Sequence, residues 1–100
     1  MRLRTLLAAF ALAGPLPSGA ADPDPQLHLF TLPGCSACAK AKAYLAERRI
    51  PYHEHDLATP EGGKAAEAMD VPAMAPVFAY GNRVLRGFTP EKLAHFLAWN

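Results

Sequence analysis

Cys35 and Cys38 are the only cysteines in the 100-residue sequence, and they stand three apart as Cys35-Ser36-Ala37-Cys38. The residues before them, Leu27 to Thr31, are apolar and β-favouring; Pro33-Gly34 ends that run, and a stretch of high helix propensity begins at the first cysteine. A cysteine at the start of a helix meets unpaired backbone N–H groups and the positive end of the helix dipole. Both favour a thiolate, the form that attacks a disulfide. A second cysteine three residues on shares the helical face and is placed to close an intramolecular disulfide. The spacing therefore predicts Cys35 as nucleophile and Cys38 as resolving thiol in thiol-disulfide exchange.

Two other uses of the pair compete. As a structural staple it would close a very small loop, which removes little entropy from the unfolded chain. As half of a metal or iron–sulfur site it would need further ligands. His53 and His55 fall on one face of a short strand and offer two, whereas His28 and His95 are scattered; taken singly, each of the four reads as a solvent-facing or core-edge residue. No second Cys-x-x-Cys and no His-x-x-x-His motif is present. A metal- or cluster-binding module thus stands as the alternative, with no metal ligand assigned.

The elements that must position the cysteines alternate along the chain. After the first strand, the helical segment from Cys35 to about Arg49 carries Ala37, Ala41, Tyr44 and Leu45 on one stripe, and Ile50-Pro51 stops it. Tyr52 to Asp56 is polar on both faces, as suits an edge strand. Thr59-Pro60-Glu61 reads as an N-cap followed by proline at the first helical position, opening a short helix through Met69 that Gly62-Gly63 weakens. Val77 to Tyr80 and Arg83 to Arg86 flank Gly81-Asn82, a two-residue hairpin signal. Thr89-Pro90-Glu91 repeats the cap-and-proline start, and Leu93, Phe96 and Leu97 give the last helix its apolar face. Phe30, Phe78, Phe96 and Tyr44 fit a core, while Trp99 fits either a core cap or an exposed position. The order β-α-β-α-β-β-α requires a parallel, right-handed crossover first and an antiparallel hairpin last, hence a four-stranded mixed sheet covered by helices.

Composition sets the limits. One hundred residues make one small domain, and 51% hydrophobic with 19% charged residues excludes a disordered tail or a nucleic-acid-binding arm. Residues 1–20 read as a signal peptide: Arg2 and Arg4 precede an apolar run from Leu6 to Ala13, a Gly-Pro break, and small residues that allow cleavage after Ala20 or Ala21. The run is too short for a membrane-spanning helix. Without Arg2 and Arg4 the chain has eight basic against nine acidic residues, a net charge of −1. Residues 21–26, rich in proline and aspartate, form a flexible lead-in, and residues 27–100 form the domain. A periplasmic or secreted location is expected, where disulfides persist.

The run Leu29 to Cys38, Asp56-Leu57, Ala75-Pro76-Val77-Phe78 and Gly87-Phe88-Thr89-Pro90-Glu91 together resemble the glutaredoxins, a dithiol branch of the thioredoxin fold. The resemblance spans residues 27–100 and implies a three-layer α/β fold. It implies that Pro76 is a cis-proline facing the dithiol and that the Ala75 backbone pairs with an extended substrate segment. It also places Gly87, Phe88 and Thr89 at the substrate rim. It further implies cysteine-containing proteins or small thiols as substrates, glutathione as a co-substrate, no bound cofactor, and a monomer regenerated by a separate redox partner. Leu32 stands where glutaredoxins often carry a glutathione-contacting lysine. Arg86-Gly87 and Thr89-Pro90 replace two further polar anchors. Arg86 offers a compensating cation for a carboxylate.

Overall fold

The computed structural model describes residues 26–98. The leader, its cleavage site, the lead-in up to Pro25, and Trp99 lie outside the described residues. Seven elements follow in the order β1 (Leu27–Thr31), α1 (Ser36–Glu47), β2 (His53–Asp56), α2 (Pro60–Ala68), β3 (Val77–Tyr80), β4 (Arg83–Arg86) and α3 (Pro90–Ala98). The sheet order is β2-β1-β3-β4. β1 runs parallel to β2, in register His28 with His53, and antiparallel to β3, with Phe30 opposite Val77. The polar strand β2 is an edge, as its composition requires; β4 forms the other.

Alternation along the central strands builds two cores, one on each face of the sheet. Leu27, Leu29 and Phe78 point to one face and meet Ala41 and Leu45 of α1 with Leu93 and Phe96 of α3. Phe30, Val77 and Ala79 point to the other and meet Ala66 of α2 and Val71. Three layers result. On α1 the buried positions are Cys38, Ala41 and Leu45, so the second cysteine itself takes a core place, and Ala37 and Tyr44 are only half-buried.

Helix ends follow local chemistry. Arg49 adopts φ 55° after α1, and the Ile50 and Arg49 amides donate back to Leu45 O and Ala46 O, a Schellman closure that precedes Pro51. Asp70, φ 56°, closes α2 in the same way, bringing Val71 back onto Ala66. At the start of α2 the Thr59 hydroxyl accepts from Gly62 N at 3.0 Å. Gly62 is buried against the Asp56 main chain, which a β-carbon would overlap. Its helix-weakening glycine is the condition for α2 to sit this close to β2.

Candidate active site

The register brings four strand ends together, with Asp56 at the end of β2 opposite Thr31 at the end of β1. Phe30 opposite Val77 sets the loop after β1 beside the segment before β3, and Val77 opposite Arg86 adds the exit of β4. Leu32, Pro33, Gly34 and Cys35 form a turn in which Cys35 N donates to Leu32 O at 3.3 Å. Proline second and glycine third, with Gly34 at φ 75°, is the pattern of a type II turn. This turn delivers Cys35 to the N-cap of α1, where its sulfur accepts from Cys38 N at 3.0 Å. Sulfur thus takes the position usually held by a serine or aspartate oxygen. Cys35 and Cys38 are joined as a disulfide with Cα atoms 5.2 Å apart. Cys35 is half-buried and Cys38 is 2% exposed, so an incoming sulfur reaches the first and not the second.

A cleft of about 510 Å³ opens beside the disulfide, lined by the Leu32–Ser36 turn and Cys38 together with Thr31, Lys42, Glu54 and Asp56. Thr31, 4% exposed, donates its hydroxyl to Glu54 Oε2 at 2.9 Å, and Lys42 Nζ donates to the same oxygen at 3.1 Å. Asp56 Oδ1 accepts from Ala58 N at 2.8 Å. The Thr31–Glu54–Lys42 group carries no linear signal, since its members come from β1, β2 and α1.

The other expected site residues lie at the same end of the sheet, outside the lining of this cleft. The Ala75–Pro76 peptide is cis, Pro76 is buried, and its carbonyl accepts from Gly87 N at 2.8 Å, with Gly87 at φ 80°. Phe88 packs inward, its ring 5.7 Å from Tyr44 and 6.4 Å from Phe78. The Thr89 hydroxyl accepts from Lys92 N at 3.1 Å, which caps α3. Arg86 is exposed.

The histidines are arranged differently from the linear reading. His28 is not scattered: its Nδ1 lies 2.9 Å from His55 Nε2, and its ring stacks at 5.2 Å on His53. The pairing of β1 with β2 is what joins them. Burial and the charges of His55 and His53 hold His28 below the ordinary imidazole pKa. Burial and His53 do the same for His55, against an upward pull from Glu61. Among the described residues no group of three or more His, Cys, Asp or Glu side chains is arranged to hold a metal ion. No described helix is long and apolar enough to cross a membrane.

A disulfide whose first sulfur caps a helix, at the end of a mixed sheet where a cis-proline opens the third strand, is set here in a thioredoxin fold. Within that fold, residues 27–72 match the Glutaredoxin family model. Solved structures share the fold. The glutaredoxin of Archaeoglobus fulgidus aligns with TM-score 0.61 at 18% identity, covering 73% of this chain and 86% of that one. The thioredoxin-like protein BC3987 aligns with TM-score 0.58 at 24% identity over 69% of this chain and 96% of its own. Among curated proteins, the global transcriptional regulator Spx of Staphylococcus aureus is 50% identical over 32 residues, 32% of this chain and 24% of that protein. The match thus spans about a quarter of that relative's length.

Proposed function

We propose that the protein is a thiol-disulfide oxidoreductase that exchanges disulfides with cysteine-containing proteins or low-molecular-weight thiols through Cys35 and Cys38. The observation that carries this reading is the half-buried Cys35 sulfur at the α1 N-cap, hydrogen-bonded by Cys38 N, with the Cys38 sulfur buried behind it. In the reduced protein the same N–H and the helix dipole stabilise a Cys35 thiolate. That thiolate attacks a substrate disulfide, forms a Cys35–substrate bond and expels the other substrate sulfur as a thiolate. Cys38 loses its proton to solvent and attacks the Cys35 sulfur. The second substrate thiolate leaves and the internal disulfide is restored. Two electrons pass from the dithiol to the substrate, and no bound redox cofactor is needed.

The extended backbone of the substrate pairs with Ala75 beside Pro76, a contact tolerant of sequence. A separate thiol reductant, glutathione or a redox protein, returns the two electrons. The apolar leader supports action in the periplasm or as a secreted protein, and a monomer on the reducing side of the dithiol range follows only by analogy with glutaredoxins. Equilibrating the protein with glutathione buffers and trapping free thiols tests this. A two-electron transition that vanishes in Cys35→Ser is expected. Stoichiometric metal with no free thiols in untagged protein overturns the reading in favour of the metal or iron–sulfur module.

A further inference from the structure

Strand β2 presents two different surfaces. His53 and His55 face the α2 side with His28 and Phe30, while Glu54 and Asp56 face the dithiol cleft. As an edge strand it has one neighbour, β1. Its attachments are the parallel ladder, the packing of α2, the Thr31–Glu54–Lys42 contacts and the histidine cluster.

The cluster is built so that its hold depends on protons. The 2.9 Å contact between His28 Nδ1 and His55 Nε2 needs one N–H donor and one lone pair. A single added proton is compatible with it; a second removes the only acceptor and places two cations in contact. His53 stacks 5.2 Å from His28 and adds a third potential charge. The surroundings offer little compensation. Glu61 on α2 is the acid whose charge acts on His55, β3 offers Ala79 opposite His28, and Phe30 stacks 4.8 Å from His55.

We infer that His28, His53 and His55 form a proton-sensitive clasp on β2, closed while the His28–His55 pair carries at most one added proton and released when both rings are charged, which couples acidity to the cleft beside Cys35 and Cys38. The clasp is independent of the oxidoreductase reading; only its regulatory consequence rests on that reading. Release frees the strand that holds Glu54 and Asp56 against the cleft, and so loosens the packing over the disulfide.

The test uses the full chain with its disulfide intact. Hydrogen exchange of the β2 amides, corrected for intrinsic rates, is compared at about pH 7.5 and about pH 5, which bracket imidazole titration. On acidification β2 is expected to lose about ten-fold protection relative to β1 and β3, a change that His28→Leu removes. Phosphine reduction of the Cys35–Cys38 disulfide is expected to accelerate over the same range more in the natural protein than in His28→Leu. Should His28→Leu not fold, His53→Gln keeps the His28–His55 bond and is expected to move the transition to lower pH. Unchanged β2 protection, or three histidines titrating independently near the ordinary value, overturns the clasp. Loosened β2 with no relative change in phosphine reduction overturns its coupling to the dithiol. Absence of turnover on any disulfide would instead overturn the oxidoreductase reading, and the exchange result would remain interpretable.

Discussion

Gly62, in the first turn of α2, lies against the main chain of Asp56, the last residue of β2, closely enough that a β-carbon would occupy the space of the Asp56 carbonyl. The neighbouring Gly63 has nothing within 4 Å of where its β-carbon would stand. Two adjacent helical glycines therefore answer to opposite rules. Gly62→Ala is expected to destabilise by about 1–3 kcal/mol because backbone must shift. Gly63→Ala is expected to stabilise by about 0.5–1 kcal/mol because helix propensity alone decides. Urea denaturation of the two variants, read as midpoints at equal slope, checks both signs.

Cys35→Ser is expected to abolish disulfide exchange. Cys38→Ser should leave the half-buried Cys35 able to attack but unable to release its partner, so a mixed disulfide accumulates. Intact mass spectrometry after incubation with a disulfide peptide distinguishes the two variants. Accumulation on Cys38 in Cys35→Ser would contradict the order of attack that burial imposes.

Around the cleft, buried and exposed partners should differ in weight. Thr31→Val removes a buried hydroxyl and its 2.9 Å bond to Glu54, for an expected loss of about 1 kcal/mol. Lys42→Met breaks an ion pair whose side chains are 41% and 37% exposed, and its expected cost is below about 1 kcal/mol and falls with added salt. Denaturation at low and high ionic strength separates the two effects.

Stability should also depend on acidity. His28 and His55 have pKa values depressed in the folded chain, so the unfolded chain binds protons more readily. Above the unfolded value of about 6.5 both states are neutral there and nothing is lost. As pH falls through that value stability declines, and the decline from these groups stops once pH is below the folded values. Thermal melts from pH 8 downward, taken to about pH 5, are expected to show this loss, and His28→Leu with His55→Leu is expected to flatten it.

The local elements were legible because their determinants are local. The Pro33-Gly34 turn, the proline-started helices α2 and α3, and the hairpin across Gly81-Asn82 each rest on dihedral preferences or on hydrogen bonds within a few residues. The polar alternation from Tyr52 to Asp56 identified an edge strand because no face of it could be buried at low cost. The N-cap placement of Cys35 was legible for the same reason: Cys35 owes its position to a turn and a helix start that both lie next to it in sequence.

What the sequence determined by itself was therefore the element order and the dithiol at a helix N-cap. Tertiary structure decided which strands are neighbours, and with that everything that depends on contact across strands. The pairing of β1 with β2 made a cluster of His28, His53 and His55, which linear spacing separates, and set Thr31 and Lys42 on Glu54 in the cleft wall. The approach of α2 to β2 turned Gly62 from a weak helix residue into a required one. Helix docking sent the Phe88 ring toward Tyr44 and Phe78. Such relations depend on burial and register between distant segments, which periodicity along one segment does not encode.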